Sequence, residues 1–148
     1  MSTAATILFV TKDEDGNEHP WVKIYHHGDG YIDGVGHMLA MWLKDRNLCN
    51  GISRDCDDTY ANGVGCLIAQ FIRDFKHDIG GLYIEPIDCS DEWFDYNYKV
   101  EIKDDVGKVN KLTTISVTNF GSDKVVWKGS PKQLLKTSDR EVYKYDDE

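Results

Sequence analysis

The sequence predicts an α+β domain: an antiparallel sheet of about six strands, in the order β-β-α-α-β-β-β-β-α, with two similar helices packed on one face. Three observations predict it. A short pattern occurs twice: Asp33-Gly34-Val35-Gly36 runs into an amphipathic stretch ending at Asp45, and Asn62-Gly63-Val64-Gly65 runs into another ending at Asp74. Phe94 to Ile102 alternates strictly, with Phe94, Tyr96, Tyr98, Val100 and Ile102 on one side, as in a half-buried antiparallel strand. The remaining strand patterns follow one another without helices between them, which disfavours a parallel α/β sheet.

Each element has a local reason. Thr6 to Thr11 is apolar and β-branched, a strand. Asp13 to Glu18 contains Asp15-Gly16, a hairpin turn signal, and Trp21 to His26 returns as the second strand, with Pro20 at its start. A loop from His27 to Gly36 holds Gly28, Gly30, Gly34 and Gly36. The first helix is expected over Val35–Asp45, with Met38, Leu39, Trp42 and Leu43 as its apolar stripe and Asp33 as N-cap. Asn47 and Asn50-Gly51 end it, and residues 52–60 read as an exposed loop.

The second helix is expected over Gly63–Lys76. Its apolar positions, Val64, Leu67, Ile68, Phe71, Ile72 and Phe75, recur at helical spacing, and Asn62 would cap it. Gly81 to Glu85 is a strand before Pro86. After the alternating strand, Asp104 to Lys108 turns, Leu112 to Thr118 and Lys124 to Lys128 are strands, and Asn119 to Asp123 turns between them. Ser130-Pro131 opens a short helix over Lys132–Lys136. Residues 1–148 read as one domain, with about 140–148 as a frayed tail.

Composition narrows the function classes. At 148 residues the chain is long enough to bury a core without staples, so its four cysteines (Cys49, Cys56, Cys66, Cys89) need not pair. No run approaches ~18 apolar residues, so no membrane-spanning helix is expected, and the first residues show no secretory signal. The net charge is −9, with acidic clusters at Asp13-Glu14-Asp15, Asp55 with Asp57-Asp58, Asp91-Glu92, Asp104-Asp105 and Asp146-Asp147-Glu148. That balance disfavours direct binding to duplex nucleic acid. It suits a solubilising surface, or one complementary to a basic partner such as the groove of a nucleic-acid-binding protein.

Tyr25-His26-His27-Gly28-Asp29-Gly30-Tyr31-Ile32-Asp33-Gly34-Val35-Gly36 resembles a segment of small phage and prophage proteins of no assigned activity. Their pattern is His-x-Asp-Gly-Tyr-x-x-Gly-x-Gly, here His27, Asp29, Gly30, Tyr31, Gly34 and Gly36. The resemblance continues through Asn62 to Gly65, Gly80 to Pro86, Tyr96 to Ile102 and Trp127 to Pro131. Those proteins carry Trp or Ser where this chain has Gly28, Pro at Ile32 and Glu at Asp33. The resemblance implies a phage or prophage accessory protein acting in the host cytoplasm on a host or defence component.

The residues offer three constellations. His26, His27, Asp29, Asp33 and His37 lie close together in sequence and suggest a metal-dependent hydrolase or nuclease. Strand alternation, however, sends His26 and His27 to opposite faces, and the calcium-loop template places Tyr31 and Ala40 where carboxylates are needed. No metal, cofactor or catalytic residue is assigned, and no cysteine spacing fits zinc.

The two Gly-Val-Gly helix starts would expose first-turn N–H groups to an anion, making a phosphorylated ligand or nucleotide signal the alternative function. The candidate ligand-binding residues are His27, Asp29, Tyr31, Gly34, Gly36, Asn62, Gly63 and Gly65. Arg46, Arg54 and Arg73 are the available cations. The competing reading is that Gly36 and Gly65 let each helix start close against the sheet. The third constellation, Trp93, Phe94, Tyr96 and Tyr98, has acidic neighbours and reads as core rather than a base-stacking platform, and Trp21, Trp42 and Trp127 read as core anchors. The leading function is therefore a non-enzymatic protein that binds and inhibits a host or defence macromolecule through its acidic surface.

Overall fold

The computed structural model describes residues 3–90, 94–119 and 124–142. The turn at 120–123, Trp93 with Asp91 and Glu92, and the tail beyond Val142 lie outside them. β1 (Ala5–Lys12) and β2 (Glu18–His26) form the expected hairpin. Gly16 adopts φ 84° in its turn, and the Asp13 carboxylate accepts the N–H groups of Asp15 and Asn17 at 3.0 and 2.9 Å. Pro20 lies inside β2 rather than at its start. The β1–β2 register slips beside it, between Phe9 and Val10, so the missing N–H falls at a bulge.

β5 (Leu82–Glu85), β6 (Tyr96–Lys103), β8 (Thr113–Asn119) and β9 (Val125–Gly129) complete a six-stranded sheet of order β5-β2-β1-β6-β8-β9, taking β3, β4 and β7 as the short strands described below. Every pair is antiparallel except the central one: β1 and β6 run parallel. Alternation reports which face is buried and is blind to strand direction. The direction comes from the connection. After β5 the chain crosses the sheet, where the Cys89 carbonyl accepts the Lys23 ammonium at 2.6 Å and the Phe94 ring packs 5.3 Å from Tyr25. It thus enters β6 at the end where β1 also starts. Phe94 consequently lies on the opposite face from Tyr98, not with it as the alternation suggests.

The first helix begins earlier than expected. Ile32–Gly36 forms a π-helical turn that continues into α1 (His37–Leu43). Asp33 is inside that turn and does not cap it, its carboxylate accepting the Asp139 N–H at 3.4 Å instead; the cap position is Tyr31, whose side chain makes no capping hydrogen bond. α2 (Val64–Phe75) matches its periodicity, burying Val64, Leu67, Ile68 and Phe71. Its cap position is Gly63 at φ 88°, and the Asn62 side chain instead accepts the Gly51 N–H at 2.8 Å. The two lead-ins are therefore similar in sequence and different in backbone.

Both helices lie on one face of the sheet. A Cβ added at Gly36 would sit 3.2 Å from the Tyr98 hydroxyl, and the Phe71 and Phe9 rings are 5.4 Å apart. Tyr98 pairs with Ile7, and Phe9 with Val100, so all four point to the same side. A Cβ on Gly65 would meet Trp21 at 3.2 Å. The close-packing reading of these two glycines is the one the contacts support. Trp21 itself is half exposed rather than a core anchor.

Four short elements were not legible. β3 (Asn47–Cys49) follows α1 directly, in place of a loop, and pairs in parallel with β4 (Tyr60–Asn62) and antiparallel with β7 (Gly107–Lys108). β7 falls within the expected turn at Asp104–Lys108, and α3 (Val109–Leu112) follows it, taking Leu112 from the expected strand. α4 (Pro131–Leu135) has the expected Ser130 cap, reinforced by Gln133 in a capping box. α5 (Asp139–Val142) is ordered where a frayed tail is expected.

Phe71 is fully buried at the meeting point of the two helices and the sheet, with Phe9, Trp42 and Phe75 around its ring at 5.4, 5.2 and 4.7 Å. Phe71→Ala should lower unfolding free energy by about 3–5 kcal/mol, as read from urea denaturation.

Candidate functional site

The His27–Gly36 loop is held by its own polar groups. Gly30 N–H donates to Thr3 O at 2.8 Å, and Tyr98 Oη donates to Gly30 O at 2.7 Å. Asp29 takes the left-handed conformation (φ 52°), tolerated by Asp, and its carbonyl accepts the Val35 N–H at 2.8 Å. Only glycine fits at 34, because a Cβ there would fall 2.1 Å from Asp29 O. Tyr31 Oη donates to Asp29 Oδ1 at 3.0 Å. His27 Nδ1 shares a hydrogen bond with Tyr25 Oη at 2.6 Å, and His26 Nδ1 faces Gly28 O at 2.9 Å. His37 Nε2 lies 2.5 Å from Thr137 O and 3.9 Å from Asp33. Among the described residues, no three His, Cys, Asp or Glu side chains converge as metal ligands would.

The start of the first helical segment already holds an anion supplied by the chain. Asp139 of α5 accepts Ile32 N–H at 3.1 Å and Asp33 N–H at 2.9 Å, and Tyr96 Oη donates to it at 3.0 Å. This is the helix-dipole attraction foreseen for a ligand, satisfied by a carboxylate whose sequence position gave no sign of it. The other lead-in packs against a different strand. Gly36 abuts a side chain of β6 and Gly65 one of β2, strands separated by β1, roughly 10 Å apart. The structure thus brings His27, Asp29, Tyr31, Gly34 and Gly36 together as one turn, while Asn62, Gly63 and Gly65 lie elsewhere.

A different concavity stands out. Met38, Met41, Trp42 and Phe75 form an apolar groove of about 440 Å³ between the exposed sides of α1 and α2, edged by Asp45, Arg46 and Thr59. Met41 is 57% exposed. Trp42 is fixed from three directions: its Nε1 donates to Asp74 Oδ2 at 2.8 Å, its ring meets Phe71, and the Arg46 guanidinium covers it at 3.8 Å. Arg46 in turn bridges to Asp74 at 3.2 Å and donates to the Asp58 carbonyl at 3.1 Å. Burial pulls the Arg46 guanidinium below its ordinary value, opposed by Asp74. Hydrogen bonds from Arg73 first and then Trp42 hold the Asp74 carboxyl below the usual aspartate value. The exposed carboxylates Asp55, Asp57 and Asp58 precede Thr59 at the rim. Helical spacing placed Met38 and Trp42 in the core stripe; both are half-buried groove walls.

A second hollow, of about 330 Å³, lies on the helix-free face of the sheet, lined by Thr6, Leu8, Asn97, Ser116, Thr118 and Val125. The four cysteines are free thiols. Hydrogen bonds from Ser53, backbone first and then side chain, with one from Cys49, draw the Cys56 pKa below its ordinary value.

No protein-family model matches the chain, and neither does any curated protein or solved structure compared with it. The fold and this surface together define an α+β domain with a preformed apolar groove.

Two outcomes follow from these contacts. Asp139→Ala should cost about 1–3 kcal/mol in urea denaturation, since it leaves two N–H groups and the Tyr96 hydroxyl without their acceptor. Because the Asp74 pKa is depressed on folding, its contribution is full above the unfolded aspartate value of about 3.9 and is lost as pH falls through the folded pKa. The stability gap between wild type and Asp74→Asn should therefore be widest near neutral pH and close on acidification, as followed by thermal melts across that range.

Proposed function

We propose that the chain is a non-enzymatic accessory protein that binds and inhibits a host or defence macromolecule, using the Met41–Trp42 groove as its anchor point. The carrying observation is that groove: an exposed apolar hollow whose central Trp42 is locked in place before any partner arrives. Preorganised aromatic anchors of this kind dominate binding energy at interfaces. Asp45 edges it, and the exposed Asp55, Asp57 and Asp58 lie just ahead of rim residue Thr59 in sequence, in a chain of net charge −9. The occupant that fits is a basic segment bearing an apolar side chain, as found on nucleic-acid-binding proteins. The hydrophobic anchor supplies lifetime, and the acidic rim supplies steering. The resemblance of His27–Gly36 to phage and prophage proteins supplies the setting. It also explains the loop's regularity: that turn shapes the start of the helix on which the groove is built.

The test is affinity capture from host lysate with the wild-type chain and with Met41→Glu, identified by mass spectrometry. A basic partner retained by wild type, lost with Met41→Glu, and bound more weakly as salt rises supports the reading. Replacing Asp57 and Asp58 by Asn should slow association without changing the fold. A partner held equally by Met41→Glu and insensitive to salt overturns it.

A further inference from the structure

We propose that a cationic hollow beyond the C-terminal end of α1 is a binding site for the phosphoryl group of a small phosphate ester. The hollow has a volume of about 230 Å³. Lys44, Lys108, Lys111 and Lys132 line it, from α1's exit, β7, α3 and α4 respectively. Arg46 also reaches it, but its charge is already matched by Asp74.

Charge is the first argument. The chain carries 26 acidic residues against 17 lysines and arginines. Folding nonetheless draws these lysines, from separate stretches of sequence, around one concavity. Asp45 is the sole carboxylate lining it, and it is engaged by the Lys44 ammonium at 2.5 Å. Lys44 first, then Lys132 and Lys108, hold the Asp45 carboxyl below its ordinary value, so the more distant lysines act on the same point in space. One carboxylate leaves an excess of positive charge, whose mutual repulsion a bound anion relieves.

The neutral lining agrees. Asn110 Oδ1 accepts the Lys132 N–H at 2.8 Å, which fixes the carboxamide and leaves its amino group as a donor. Asn47 is held the other way round, its Nδ2 donating to Thr59 Oγ1 at 3.1 Å. Lysines drawn from four separate parts of the fold around one hollow suit the oxygens of a phosphoryl group, and lysine binds it as a compact charge. The volume lies below the roughly 300–1,000 Å³ of pockets that enclose a whole small molecule. The phosphoryl group enters and the body of the ester stays outside. This site is separate from the two glycine lead-ins and from the apolar groove, which lies on the other side of Asp45 and Arg46.

The experiment is titration of the full chain with inorganic phosphate and with pyrophosphate, against sodium chloride at matched ionic strength, followed by amide NMR. Saturable shifts at residues 44–47, 108–111 and 132, tighter for pyrophosphate than phosphate, are expected. The Lys108→Gln, Lys132→Gln double variant should bind roughly tenfold more weakly or worse. Both side chains are exposed, and an unchanged melting temperature will show that the variant folds. Lys103→Gln, also exposed and outside the hollow, should bind as wild type does. Shifts that are linear, scattered over the surface or equal in chloride overturn the proposal. So does saturation only by a single-stranded oligonucleotide, which would assign these lysines to a nucleic acid backbone. The Met41→Glu capture result is unaffected by any of these outcomes.

Discussion

A single carboxylate joins three elements of this molecule. Asp139 receives the first free N–H groups of the helical segment, at Ile32 and Asp33, and the phenolic hydroxyl of Tyr96 on the central sheet. The last described element, the first helix and the core strand are thus fastened at one point. Around it, Tyr98 binds the Gly30 carbonyl and His37 meets the Thr137 carbonyl. Helix-start N–H groups that would otherwise call for solvent or a ligand are satisfied within the chain. The regular turn from His27 to Gly36 is best understood as the shape required to present those groups to Asp139.

That constraint sets what the remaining surface can do. With the N-terminal end of the first helix closed, its chemistry lies along its outer side and at its far end. On the outer side, Trp42 is braced by Asp74 and Arg46 and forms the wall of an apolar groove. At the far end, lysines gather around Asp45. Asp45 and Arg46 divide the two regions, so a short stretch of chain separates an apolar hollow from a cationic one.

Much of the architecture was legible in residue patterns. The spacing of Val64, Leu67, Ile68 and Phe71 located α2, and Ser130-Pro131 located α4, because both signals are local. The alternation of Tyr98, Val100 and Ile102 gave the buried face of β6. What failed was non-local. The matching Gly-Val-Gly words suggested matching helix starts, yet one is a π-helical turn and the other begins from Gly63 at positive φ. Asp33 and Asn62 have the composition of caps and serve other partners. β3 and β4 are too short to show periodicity and exist because they pair with each other and with β7. The groove was hidden for a related reason: helical spacing marks Met38 and Trp42 as apolar, and only the packing of α2 shows that they are half-buried, against the core on one side and open on the other.

The parallel pairing of β1 with β6 bears on how the chain comes together. Thr6 and Asn97, bonded side chain to side chain at the middle of the sheet, are 91 positions apart. As the chain leaves the ribosome, the first hairpin forms early, yet the outer edge of β1 stays uncovered until most of the polypeptide has been made. Such distant closure makes folding slow for a domain of this length. Nascent chains therefore carry an unsatisfied strand edge for much of their synthesis, the stage at which this protein is most open to mispairing with a neighbour.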